Sequence, residues 1–159
     1  MNKYEWFMKH HKEDNLRKKK LWKEYLQSVY ECYKGNPFAD IAEKSIYHLY
    51  LCASFHSPLS SSAICMFFLY DYGTKELKYC SGNQKFDDCC SVFLDIPATN
   101  HFFNRDYSEL PHAYDVGCYS MFMLFNKRYT QFGIQWQNKE LCPEFKWFFD
   151  IFDKTFSLG

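Results

Sequence analysis

Eight cysteines and six histidines are the residues of this 159-residue chain best suited to chemistry, and their spacing decides which chemistry is open to them. Structural zinc sites use C-x2-4-C or H-x3-5-H ligand pairs. Here Cys89-Cys90 and His10-His11 are adjacent, and His101, His112 and Cys118 could converge only through the fold. No metal is therefore expected. An activated nucleophile needs a base and a strained turn to present it. No G-x-S-x-G occurs, and Gly117-Cys118 is the nearest candidate. The competing reading, that Cys118 simply opens a buried strand, is preferred because Cys is so often a core residue. Only six glycines are present, and none falls in G-x-G-x-x-G or a Walker loop, so no nucleotide or other cofactor is expected. The residues assign no catalytic group.

What remains for the cysteines is packing. Most lie in apolar runs such as AICMFFLY and GCYSMFMLF, where Cys behaves as a small hydrophobe. Aromatic residues supply 21% of the chain, so the core is built largely from rings. At this length a single domain spanning 1–159 is expected, burying roughly 68–70% of its unfolded surface without help from metal or disulfide. The longest purely apolar run, Ala63 to Tyr70, falls far short of the about 20 residues a spanning helix needs. The opening MNKYEWFMKHHKED has no apolar signal region. A cytoplasmic chain with reduced thiols and no membrane contact is expected.

Charge balances overall but is unevenly placed. Residues 1–34 carry nine Lys/Arg against five Asp/Glu, and the remainder carries ten against fourteen. Arg17-Lys18-Lys19-Lys20 with Lys23 could meet phosphate, but such runs usually form a solvated helix face. A nucleic-acid binder would also want a more basic domain. The opposite polarity marks residues 87–115. Asp87, Asp88, Asp95, Asp106, Glu109 and Asp115 stand there against Arg105 alone, among Phe102, Phe103, Tyr107 and Tyr114. Amphipathic rings anchor interfaces and acidic groups steer basic partners. Asp106, Tyr107, Glu109, Tyr114 and Asp115 are the candidate partner-binding residues. The alternative is that the rings cap the core and the acids solvate a loop.

Several elements must position these groups. Trp22, Leu26, Val29 and Tyr33 make one helical stripe, so residues 3–34 read as a helix ended by Gly35. Asn36-Pro37 then starts a second helix running to about residue 55, with Phe38, Ile41, Ala42, Ile46, Leu49 and Ala53 facing inward. The two would form a helical hairpin. Pro58 to Ser62 is a loop, and residues 63–70 and 76–79 read as a strand hairpin. Cys89 to Ile96 is ambiguous between strand and buried helix. Residues 97–116 form the longest irregular stretch, a feature often tied to function. Gly117 to Phe125 and the alternating Thr130, Phe132, Ile134, Trp136 form a second hairpin with one covered and one wet face. From about Pro143 to Phe156, Phe145, Phe148, Phe149, Phe152 and Phe156 share one helix face. The fold class is α+β: an N-terminal helical hairpin, a mainly antiparallel sheet of about four or five strands, and a C-terminal helix packed on it.

Three function classes compete on these features: a protein-binding module, an enzyme with a Cys/His or carboxylate site assembled from distant residues, and a nucleic-acid binder using the basic N-terminal helix. The first fits best. In size, cytosolic character and lack of catalytic signature, the chain resembles the small immunity proteins that bacteria make against toxins, a resemblance of general character and not of motif. It implies an antitoxin-type protein that neutralises a bacterial toxin by stoichiometric binding to its catalytic domain. A basic toxin domain would suit the acidic segment.

Overall fold

The computed structural model describes residues 36–58, 64–82 and 84–158. The chain divides into two compact units, Met1–Asn36 and Pro37–Gly159. The expected helix over 3–34, its basic run, Cys32 and most of the 58–62 loop lie outside the described residues.

The elements of the second unit are α1 (Pro37–Glu43), β1 (His48–His56), β2 (Ile64–Asp71), β3 (Glu76–Ser81) and β4 (Cys90–Phe93), followed by α2 (Asn100–Phe103), β5 (Cys118–Phe125), β6 (Arg128–Gln135) and α3 (Lys146–Phe156). The strands form one six-stranded sheet in the order β4-β3-β2-β1-β5-β6, with every neighbouring pair antiparallel. The α+β class and the C-terminal helix are as expected, but the strand count is higher. The extra strand is β1, which overlaps the span 37–55 expected to be helical.

Its residues suit both periods. Leu49 and Ala53 are four apart and suit a helix face. They also suit a period of two, with Leu51 and Phe55 completing one buried face. Helix α1 ends at Glu43, its last turn tightened by Lys44 and Ser45 N–H bonds to the Ile41 and Ala42 carbonyls. Ile41 and Ile46, expected inside, are 43% and 59% exposed. As a strand, residues 48–56 bond on both edges, to β2 through Leu51↔Phe68 and to β5 through Leu51↔Met123. A buried central strand satisfies its backbone groups in this way.

One sheet face carries the main core. Leu49, Leu51, Ala53, Met66, Phe68, Tyr70, Leu77, Tyr119, Met121, Met123 and Ile134 meet the inner face of α3. The phenylalanine stripe behaves as the spacing predicts. Phe145, Phe148, Phe149 and Phe152 are buried and Phe156 is partly covered. The Tyr119 ring lies 5.9, 5.0 and 5.6 Å from those of Phe148, Phe149 and Phe152. Gly117 is demanded by this packing, since a Cβ there would sit 2.3 Å from the Phe55 ring.

The expectation of one wet face needs correction. Tyr50, Cys52, Leu69, Cys80, Phe122 and Leu124 point away from α3 and are also buried. Helix α1 contacts β1, β2 and β5, and Phe86 packs against both Phe38 and Phe67. Toward both edges, at Ser91 and Phe93 of β4 and at Tyr129 and Gly133 of β6, the second face becomes exposed.

Candidate functional site

Residues 94–116, which contain the expected irregular stretch 97–116, form a strap from the β4 edge to the β6 edge. An irregular backbone has no ladder to satisfy it, so side chains must do so. Tyr70 begins the series: its hydroxyl donates to the Leu94 carbonyl at 2.8 Å and accepts from the Ile96 N–H at 3.3 Å. Tyr72 donates to the Pro97 carbonyl at 2.7 Å. Phe102 is buried against Phe145, with ring centroids 4.8 Å apart. Farther on, the Gln135 amide closes both backbone groups of Ala113, at 2.8 and 3.0 Å, and Asn138 donates to the Pro111 carbonyl at 2.7 Å.

The tightest clamp sits mid-strap. Arg105 Nη1 donates to both Glu144 oxygens, at 2.6 and 2.9 Å, while Nη2 donates to the Leu141 carbonyl at 2.9 Å. A charge-assisted pair whose second guanidinium nitrogen is tied to a backbone carbonyl holds position as well as charge. The Tyr107 hydroxyl donates to Glu144 Oε1 at 3.3 Å. Its ring stacks on Phe132 of β6, with centroids 4.0 Å apart and planes 10° from parallel. Burial first, then the Glu144 carboxylate, raises the Tyr107 phenol well above its usual range.

This arrangement separates the five candidate residues. Tyr107 is 4% exposed, so its ring is a core contact and not a surface anchor as expected. Asp106, Glu109, Tyr114 and Asp115 are on the surface, and Tyr114 is the most open large hydrophobic side chain among the described residues at 86%. Bonds from the Ser108 hydroxyl and N–H hold the Asp106 carboxyl below its usual value. Asp115 adopts a left-handed backbone (φ 55°) that turns the chain into β5. Tyr114 meets His112 edge-on at 5.3 Å.

The six acids do not form one patch. Asp87 and Asp88 precede β4, while Tyr107 packs on β6, at opposite edges of the sheet. Five strand spacings put those edges roughly 24 Å apart, well beyond a Debye length of about 8 Å. Asp95 is paired with Lys75 at 2.9 Å. The acidic surface beside the exposed ring of Tyr114 is therefore the β6 end of the strap.

Two further constellations were not legible in the sequence. A groove of about 760 Å³ runs along α3, lined by Lys139, Cys142, Pro143, Phe149, Asp150 and Asp153 among others. In its wall Asp153 accepts from the Tyr119 hydroxyl at 2.6 Å and from Lys139 Nζ at 2.7 Å. Those three groups satisfy one another. Burial pushes the Cys142 thiol up to about 11, the wrong direction for a nucleophile.

The second constellation is Ser45, His48 and Asp71. Ser45 Oγ lies 2.6 Å from His48 Nδ1, and His48 Nε2 lies 3.6 Å from Asp71. It resembles a triad in composition only. Ser45 Oγ already accepts from the Tyr47 N–H at 3.0 Å, and Asp71 accepts from the Gly73 N–H at 2.7 Å. The 3.6 Å gap is too long for a hydrogen bond. These groups clamp a turn. The β1–β2 register, His48↔Asp71, brings them together, and a helix over 48–55 would not.

Cys118 opens β5 half-buried, and burial raises its thiol. Among the described residues no three His, Cys, Asp or Glu lie together in a way that could hold a metal ion. No helix among them is long and apolar enough to cross a membrane. No protein-family profile matches the chain, and no curated protein is detectably similar to it in sequence.

Proposed function

We propose that this chain is a protein-binding module of the immunity type, neutralising a basic toxin domain in the cytoplasm by stoichiometric binding through the β6 end of the strap. One observation carries the reading: Asp106, Glu109, Tyr114 and Asp115 are displayed on an irregular segment that Arg105, Glu144 and Tyr107 hold in place. A loop fixed before binding loses little freedom on binding. Tyr114 supplies a large ring with few rotors, and the acids supply steering. Tyr107 acts in this reading as a positioning residue.

The test is to mix the purified chain with the nuclease domain of any toxin encoded beside its gene. A one-to-one complex is expected by light scattering. Glu109→Gln with Asp115→Asn should slow association and flatten its salt dependence, since steering is screened by salt. Tyr114→Ala should instead speed dissociation, by about 1–3 kcal/mol if the ring is an anchor. A complex that forms but ignores all three substitutions would move the interface elsewhere. No complex with any such domain would remove the immunity reading.

A further inference from the structure

The β3–β4 edge places three cysteines in a row on the face opposite α3. Register sets the row. Tyr79 of β3 pairs with Cys90 of β4, so one step on, Cys80 stands opposite Cys89. Cys89 is still extended there, with φ −67° and ψ 150°. Cys65 lies on the same face in β2, diagonal to Cys80, whose own partner is Phe67. Its sulfur fills the space over Gly82, where a Cβ would come within 2.5 Å of it.

We propose that Cys80 and Cys89 are a peroxide-reactive dithiol that closes to a disulfide across the β3–β4 pair. Directly opposed residues of antiparallel strands have Cα atoms about 4.5–5.5 Å apart, inside the roughly 4.4–6.8 Å span of disulfides. The other pairings fit less well. The diagonal Cys65–Cys80 pair falls at about 7–8 Å. Adjacent Cys89 and Cys90 have Cα atoms about 3.8 Å apart, short of that span, and Cys90 shares the opposite face with Tyr79.

Exposure orders the two steps. Cys89 is partly exposed and Cys80 is buried. Burial first, then the neighbouring thiols of Cys89, Cys65 and Cys90, pushes the Cys80 thiol up to about 11. That low thiolate content makes it a poor first nucleophile. Cys89 attacks the hydroperoxide and becomes a sulfenic acid, releasing water. Cys80 sulfur then attacks the sulfenic sulfur. The hydroxyl leaves with the Cys80 proton as a second water, and the S–S bond forms. Two thiols are oxidised and one hydrogen peroxide is reduced to two waters. The product pins β4, whose four residues are all exposed, to β3.

The test uses the folded full chain and hydrogen peroxide. Thiols are counted after denaturation, and linked peptides are mapped by mass spectrometry. The untreated chain should titrate eight thiols, the number of its cysteines. Treatment should remove two, in a Cys80–Cys89 cross-link that a dithiol reductant reverses. Cys89→Ser, a change at a partly exposed position, should abolish that cross-link. Cys80→Ser should stop the reaction at a Cys89 sulfenic acid that a cyclic diketone traps. Should Cys80→Ser not fold, the Cys89→Ser result and the peptide map decide alone. A map showing Cys65–Cys80 or intermolecular linkage, or no loss of thiols at peroxide levels that oxidise the denatured chain, overturns the proposal.

Discussion

Replacing Tyr107 separates two roles that the sequence left together, a core ring and an exposed anchor. The ring is 4% exposed and stacks on Phe132 at 4.0 Å, with Phe145 at 5.9 Å. Truncating a buried ring of this kind costs about 3–5 kcal/mol, because transfer energy and a cavity are lost together. For a domain of this size each kcal/mol shifts the melting temperature by about 2–4 °C. Tyr107→Ala should therefore lower Tm by about 6–20 °C. Tyr107→Phe keeps the stack and loses only the 3.3 Å bond to Glu144, which Arg105 still satisfies. It should cost about 0.5–1.5 kcal/mol. Calorimetry or circular dichroism gives the global number. Amide exchange over residues 98–116 shows whether the strap opens before the sheet does. Unchanged Tm and unchanged exchange in Tyr107→Ala would refute the placement of this ring in the core.

Other substitutions probe the rest of the fold. Phe148→Ala should cost about 3–5 kcal/mol in denaturant unfolding, since that side chain is 0% exposed and sits between Phe68 and Phe152. Arg105→Ala should destabilise more than Arg105→Ala with Glu144→Gln, because the single change strands a carboxylate whose side chain is only 11% exposed; equal losses in a double-mutant cycle would deny the clamp. Partial burial favours a higher value for Asp71, but the Gly73 and Thr74 N–H groups and His48 outweigh it and hold the carboxyl below 3.8. Its stabilisation is therefore complete above that value and lost as pH falls through the folded value. Asp71→Asn should flatten the acid limb of the stability curve below about pH 4 and leave the neutral region parallel. Cys142 behaves in the opposite sense: burial raises its thiol from 9.0 to about 11, so stability should fall as pH rises across that interval. Cys142→Ala should make the alkaline limb shallower in urea titrations.

Some of this architecture is local and can be read from residue order. The alternation of Thr130, Phe132 and Ile134 commits β6 to a strand with one buried side, and five phenylalanines at helical spacing commit the C-terminus to a buried helix. Neither depends on knowing what lies opposite. Residues 48–56 are different. Their apolar positions satisfy both periods, and the decision belonged to β2 and β5, which offer hydrogen-bonding partners on both edges. Residues distant in sequence also decided the surface. Tyr107 and Tyr114 share one acidic loop, yet one is buried and the other is 86% exposed. Phe132 and Glu144 capture the first ring, and nothing comparable covers the second. The Cys80–Cys89 opposition likewise follows from strand register. Composition tells which side chains will seek burial, because transfer from water depends on the side chain alone. Which of them succeed depends on partners that only the folded chain brings within reach.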